Sequence, residues 1–188
     1  EFRRVLFRSG VAHSPAAEAR LASSRKAELL RAHQCGEIDA DGYFRGVAEL
    51  VGSHGADDVR RIHTAWILGD YPGIADAIDR IHAAGLRTAC LSNTNAHHWE
   101  QLAASEAFRR IQVRHASHLM GLVKPDARIY RAFEQAMDAA PHDIVFFDDL
   151  PENVDAARAC GWNAVQVDHA GDTAAQVLAG LRAQGAMP

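Results

Sequence analysis

The chain has 188 residues, a mass of 20.5 kDa and a net charge of −4, with 48% hydrophobic residues, enough to bury one domain with a small insertion. No basic stripe marks a nucleic-acid footprint, and no apolar run approaches the length needed to span a membrane. Cys35, Cys90 and Cys160 are odd in number and widely spaced, which fits reduced thiols in a cytoplasmic protein rather than a disulfide frame or a metal knuckle.

Residues 1–10 open without Met on a basic segment, Glu1-Phe2-Arg3-Arg4-Val5-Leu6-Phe7-Arg8-Ser9. They are too short for a transit signal and read as a non-native leader on a truncated sequence. Residues 11–69 carry a helical pattern broken by loops. One helix is expected over 15–33 with Leu21, Leu29 and Leu30. A second, capped by Asp39 or Asp41, holds Phe44, Val47, Leu50 and Val51, and a third over 56–68 holds Val59, Ile62 and Trp66. Gly69-Asp70-Tyr71-Pro72-Gly73 is a hinge into residues 70–188.

Beyond the hinge, helix and strand alternate. Ile74, Ile78 and Ile81 mark a helix stopped by Gly85; a strand over 86–91 ends in Ser92-Asn93-Thr94; a helix through His97 and Trp99 leads to a short strand at 111–113. Lys124-Pro125-Asp126 opens a helix with Ile129, Phe133 and Met137 on one face. Ile144-Val145-Phe146-Phe147 reads as a strand buried on both faces, followed by Asp148-Asp149 and a helix that Pro151 starts and Gly161 ends. A strand over 164–167 and a helix through Val177, Leu178 and Leu181 complete an α/β fold with a parallel sheet covered on both sides.

Strand ends and the loops beside them carry Ser92-Asn93, Lys124 and Asp148-Asp149, and such loops meet at the edge of an open sheet where ligands bind. Each has a plain structural reading: Ser92 or Asp149 as a helix cap, Asp148 as a solvated acid, Lys124 as a solvated lysine. Together they suit a phosphoryl group, with a hydroxyl for its oxygens, an ammonium for its charge and adjacent carboxylates for Mg²⁺. Lys26 and Lys124 are the only lysines in a chain whose other basic residues are arginines, apart from histidine, which singles out Lys124. His97-His98 could shape a pocket but read as solvated, His115 and His118 nominate no further ligands, Trp66, Tyr71 and Trp99 could contact a substrate but read as packing residues, and Asp172 reads as a helix cap.

Leu91-Ser92-Asn93-Thr94, then Gly121-Leu122-Val123-Lys124-Pro125-Asp126 with Ile129-Tyr130, then Phe146-Phe147-Asp148-Asp149 with Asn153-Val154, resemble in order and spacing the second to fourth motifs of the haloacid dehalogenase superfamily. The likeness is to its sugar-phosphate phosphatase branch and to the phosphatase domain of epoxide hydrolases. Residues 11–69, with Gly36-Glu37-Ile38, resemble the helical cap of that branch, and 70–188 its Rossmannoid core. The resemblance implies Mg²⁺-dependent hydrolysis of a small phosphorylated metabolite, such as a sugar phosphate, through an aspartyl-phosphate. Ser92 and Lys124 would be the catalytic groups, Ser92, Asn93 and Lys124 would bind phosphate, Asp149 would bind the metal with Asp148 as ligand or support, and Asn153 would orient the loop.

The family's nucleophile and acid/base aspartates follow its first strand, ahead of the cap. Here the first aspartate is Asp39, and aligning Val5-Leu6-Phe7 with that strand places Arg8 and Gly10 at the two positions. The expectation is therefore a chain that lacks both acids and is inactive as written, its first central strand lost or replaced, with residues 4–7 occupying part of that strand's slot. Two other readings stand: a noncatalytic phosphate-binding or protein-interaction relative, and a metal-free haloacid dehalogenase. The sequence leaves oligomeric state open.

Overall fold

The computed structural model describes residues 24–52 and 54–188. The anticipated placement of residues 4–7 lies outside them, as does the start of the first helix. Three helices come first: α1 (Ser24–Gln34), α2 (Ala40–Val51) and α3 (Ala56–Thr64). Asp39 caps α2, its Oδ1 accepting from the Gly42 N–H at 2.7 Å, and Gly52 at φ 72° closes it. Tyr43, Phe44, Val47 and Val51 recur at helical spacing and pack with Val59 of α3 into one apolar cluster, bordered by Leu29 and Leu30 of α1.

The remainder alternates as expected. It comprises α4 (Ile74–Ala83), β1 (Ala89–Ser92), α5 (Ala96–Leu102), α6 (Glu106–Arg110), β2 (Val113–Ala116), α7 (Ser117–Met120), α8 (Ala127–Met137), β3 (Val145–Asp148), α9 (Pro151–Ala159), β4 (Asn163–Gln166) and α10 (Thr173–Ala183). The strand expected at 111–113 begins where that range ends. Arg110 is instead the last residue of α6, whose N-cap Ser105 Oγ accepts from the Phe108 N–H.

Among the described residues the strands form two parallel pairs. Ser92 of β1 lies opposite Ala116 of β2, and Asp148 of β3 opposite Gln166 of β4. No described strand joins β1 to β3, and residues of both border a cavity of about 690 Å³. This changes the expectation for β3: Val145, Phe146 and Phe147 are half-buried, because one edge of the strand opens onto that cavity.

Side chains of β3 alternate between two apolar layers. Phe146 packs against the cluster of Leu91, Ile129, Tyr130, Phe133, Val154 and Trp162, while Val145 and Phe147 pack against α4 and α10 through Ile81, Ala174 and Leu178. Helices therefore cover both faces of the strand. Gly36, at φ 71°, fixes where the α1–α2 loop meets the α/β part: a Cβ there would stand 2.5 Å from the backbone oxygen of His118.

Ile129 is fully buried between α8 and the strands, so Ile129→Ala should cost about 2–5 kcal/mol in urea unfolding. A loss below 1 kcal/mol would show that this layer is loosely packed.

Candidate active site

The carboxyl ends of β1 and β3 lie at the same edge of the fold. Asp148, the last residue of β3, is buried, and both its oxygens are engaged: Oδ2 receives Lys124 Nζ at 2.6 Å, while Oδ1 accepts from the Leu150 N–H at 3.0 Å and from Asn153 Nδ2 at 2.9 Å. The Lys124 side chain is 8% exposed, and its ammonium lies 5.3 Å from the Phe146 ring centroid. Neither residue is the solvated surface charge of the plain reading. Burial of two ions is costly unless their geometry and hydrogen bonding are good, and the two extra donors to Asp148 supply that.

The chain around the pair is held by reciprocal contacts. Asn93 Oδ1 accepts from the Lys124 N–H at 2.8 Å, and Asn93 Nδ2 donates to the Lys124 carbonyl at 2.9 Å. The Asn93 amide thus grips the backbone that carries the ammonium, a positioning task that its assignment to phosphate had overlooked. The peptide between Lys124 and Pro125 is cis, and Asp126 caps α8 through the Arg128 N–H. Behind Asp148, the buried Tyr130 hydroxyl donates to the Asn153 carbonyl at 2.9 Å. Beside β1, Ser117 Oγ accepts from the Thr94 N–H and donates to the Thr94 carbonyl.

Ser92 is half-buried at the end of β1, lines the inter-strand cavity together with Lys124, and has no hydrogen bond to its hydroxyl among the described residues. It does not cap a helix; Asn95 caps α5, its Oδ1 accepting from the His98 N–H at 3.0 Å. Asp149 does not cap α9 either, since Leu150 holds that position without a side-chain bond. The Asp149 carboxylate is 47% exposed, with His169 Nδ1 at 3.8 Å. The structure therefore joins Asn93, Lys124, Asp148 and Asn153 in one bonded network and leaves the Ser92 hydroxyl and the half-exposed Asp149 carboxylate beside it.

A second cavity, about 580 Å³, opens between the first three helices and this edge, with Asp149 and Asn93 on one side and Leu30, Gln34, His63, Trp66 and Ile67 on the other. His63 and His98 line it; His63 was missed by the sequence reading, which allowed His98 a place in a pocket but favoured solvent. His98 is buried rather than solvated; its Nε2 lies 2.7 Å from the His63 carbonyl, so that nitrogen carries the proton, and its ring stacks on His63 at 4.0 Å. His97 is half-buried, with Nε2 2.8 Å from Thr64 Oγ1. His33 Nδ1 faces the Ile38 carbonyl at 3.3 Å. These rings come from α1, α3 and α5 and have no local sequence pattern; the helical spacing of Val59 and His63 was the available signal. Tyr71, expected to pack, is exposed, whereas Trp99 meets Phe108 edge-on at 4.8 Å.

Residues 13–161 match the family model of the haloacid dehalogenase-like hydrolases. The chain belongs to that family. A relative, phosphatase MT3486 of Mycobacterium tuberculosis, is 30% identical over 141 residues, covering 73% of this chain and 64% of that protein. The chain spans less than two thirds of the length of curated relatives that it matches. A predicted HAD-like hydrolase from Porphyromonas gingivalis superposes with a TM-score of 0.75 over 97% of this chain and 89% of that one, at 22% identity. A variant HAD enzyme from Bacteroides thetaiotaomicron, solved with magnesium and inorganic phosphate, gives 0.72 over 92% and 89%, at 16% identity. The last two likenesses show a shared HAD fold, including the parallel α/β architecture. Among the described residues no helix is long and apolar enough to cross a membrane.

Two outcomes follow from the site's electrostatics. Lys124→Met leaves the Asp148 carboxylate buried without its counter-charge and should destabilise the fold by about 3–5 kcal/mol, much of it recovered by adding Asp148→Asn; equal stability of all three proteins would mean the pair is solvated. Burial holds His63 down to about 2, with His98, His33 and His97 adding repulsion, and burial also lowers His98 and His33. Below about pH 6.5 the unfolded chain binds a proton on His63 that the folded chain does not take up until about pH 2. Its contribution is complete above pH 6.5 and falls on acidification by roughly 1.4 kcal/mol per pH unit, and His98 and His33 act in the same direction. The melting temperature should drop between pH 7 and pH 5, less so in His63→Phe; identical slopes would remove His63 from the account.

Proposed function

We propose that this edge is built to hold the phosphoryl group of a small phosphate monoester together with Mg²⁺. The observation that carries the reading is the buried Lys124–Asp148 pair with the unbonded Ser92 hydroxyl beside it. Lys124 Nζ has three N–H donors and spends one on Asp148, which leaves it able to address phosphoryl oxygens. The Ser92 hydroxyl would donate to another, Asn93 keeps the lysine loop in place, and Asn153 keeps Asp148 in place. In this reading residues 11–69 are the cap and 70–188 the core, and the cavity between them is where the rest of the ester lies.

Mg²⁺ usually takes one or two protein carboxylates and fills its remaining positions with water and substrate oxygens. The residues present fit that habit: among the described residues no group of three or more His, Cys, Asp and Glu side chains could hold a metal, but Asp149 has an accessible carboxylate. Asp149 would be the direct ligand and Asp148, with both oxygens taken, its support. Bound there, Mg²⁺ would offset phosphate charge and polarise the phosphorus–oxygen bonds. The phosphatase named among the relatives and the fold neighbour solved with magnesium and phosphate support this reading.

Turnover is a separate matter. The first aspartate among the 188 residues, Asp39, is spent capping α2, and aligning Val5-Leu6-Phe7 with the family's first strand puts Arg8 and Gly10, neither a carboxylate, at the nucleophile and acid/base positions. We infer that a polypeptide of this sequence binds phosphate esters with little or no hydrolysis, a deficit of roughly 10⁴ to 10⁶ in turnover if other catalytic units are a guide.

Calorimetric titration with inorganic phosphate should show binding that strengthens at least about tenfold with Mg²⁺, a gain removed by Asp149→Asn at unchanged stability. Magnesium-independent binding, or the same gain in the variant, would remove the metal from Asp149. Mg²⁺-dependent release of nitrophenol from nitrophenyl phosphate by this polypeptide would overturn the inference of inactivity.

A further inference from the structure

Helices α1–α3 and the α/β part keep separate cores. Among the described residues the buried apolar cluster of the first three helices draws on residues 29–59, and the other two clusters draw on residues 74–187. A layer of rings bridges them: His33 of α1, His63 of α3, and His97 and His98 of α5. His63 stacks on His98 at 4.0 Å, His98 Nε2 donates to the His63 carbonyl at 2.7 Å, His97 Nε2 lies 2.8 Å from Thr64 Oγ1, and His97 meets Phe44 edge-on at 5.5 Å. The described link between the two parts is residues 65–73, where Gly69 at φ 103° has open space around it. Parts of a chain joined by a small polar contact and a flexible link move relative to each other more readily than parts that share an apolar core.

The groups around this layer offer little to balance a charge within it. Lys26 of α1 opposes a proton on His63, Arg60 of α3 opposes one on His97, and His118 of α7 opposes one on His33. Tyr43 of α2 stacks on His33 at 4.6 Å as a neutral phenol, burial having pushed its hydroxyl up to about 12. Asn95 favours charge on His33, and Glu100 of α5, the one carboxylate among these main neighbours, favours it on His97. Neither ring nitrogen of His63, nor Nε2 of His33, has a hydrogen-bond partner among the described residues. A proton taken up while the layer is closed is therefore a buried cation facing other rings, Lys26 and Arg60. Parting α3 from α5 brings these rings toward water, where a histidine accepts a proton near pH 6.5. The closed layer is thus fully favoured above about pH 6.5 and loses ground as the pH falls, because the parted state binds the protons that the closed state refuses.

We propose that the histidine layer is a proton-released joint: near neutral pH it docks α1–α3 against α5 over the sheet edge, and acidification frees the three helices as a folded unit that swings on residues 65–73. The unit has means to stay folded on its own. Its apolar cluster is complete without α5, Asp39 caps α2, and Arg60 of α3 pairs with Asp41 of α2 at 2.6 Å. Release carries Gln34 and Trp66 away from Asn93 and Asp149, so the cavity that these residues share opens to solvent. The joint acts on the position of the helices and holds whether or not the edge binds a phosphate ester.

The test is ¹⁵N relaxation and backbone carbon shifts of the full chain at about pH 7.5 and about pH 5, either side of the ordinary histidine range. At the higher pH the amides of α1–α3 and of α4–α10 should share one tumbling time. At the lower pH α1–α3 should keep helical shifts and tumble faster than α4–α10. His63→Phe keeps a ring in place, forfeits no hydrogen bond to the ring nitrogens and cannot take a proton, so at about pH 5.5 it should lower the ratio of released to docked molecules about tenfold. His142→Phe, at an exposed histidine away from the layer, should leave that ratio unchanged. One shared tumbling time at both pH values would overturn the joint, as would loss of helical shifts in α1–α3 or throughout the chain, or a His63→Phe protein that releases like the parent. The comparison of the parent protein at the two pH values decides the matter even if His63→Phe does not fold.

Discussion

The ion pair between Lys124 and Asp148 is the contact on which the arrangement of the sheet edge depends. Each partner is under a tenth exposed, so each needs the other. Supporting the pair draws in four parts of the chain: the loop after β1 through Asn93, the loop before α8 through the Lys124 backbone, the first turn of α9 through Leu150 and Asn153, and α8 itself through Tyr130. Since β1 and β3 do not pair with each other among the described residues, this polar network ties the two strand pairs together at that edge. Apolar residues of similar size would generally do as well for stability or better. The pair is better understood as a device for holding an ammonium at a fixed place near a strand end, where its remaining N–H groups can meet an anion.

Much of this was legible in the sequence because local rules determined it. The Asp39 and Asp172 caps, the helix start at Lys124-Pro125-Asp126, the glycine stops and the apolar spacing of Ile129, Phe133 and Met137 depend on neighbours within a turn or two, and the structure has each of them. Burial of single polar residues was harder to read. Whether Asp148 or Asp149 is the sheltered acid depends on strand pleat and on a lysine 24 residues earlier, and the plain expectation had Asp148 in solvent. The half-buried state of β3 could not be seen either, because a run of four apolar residues looks the same whether one or two strands flank it. The histidine layer was the least legible part. His33, His63 and His98 come from three helices, and only their packing turns residues that usually face water into neutral walls.

That layer separates two electrostatic environments. At the sheet edge, charge is concentrated and paired; a short distance away, burial keeps His63, His98 and His33 neutral. The same contrast makes the wall sensitive to acid, because a proton on any of these rings would place a buried positive charge among its neighbours.

The cavity between β1 and β3 connects stability to chemistry in a further way. Its walls are the apolar residues Leu91, Phe146 and Phe147, and its upper end is Ser92 and Lys124. A parallel strand seated there would bury three or four more side chains, worth on the order of 5–10 kcal/mol, comparable to the whole stability of a domain. A carboxylate placed immediately after that strand would arrive beside Lys124, which already has one acid to neutralise. The ammonium would then be shared between two carboxylates and, when a substrate is present, a phosphoryl group. Asp148, fixed by Leu150 and Asn153, cannot leave the lysine easily, so the incoming acid would be the less tightly held of the two. One apolar segment ending in an acid would therefore add to the core and to the polar network at the same edge.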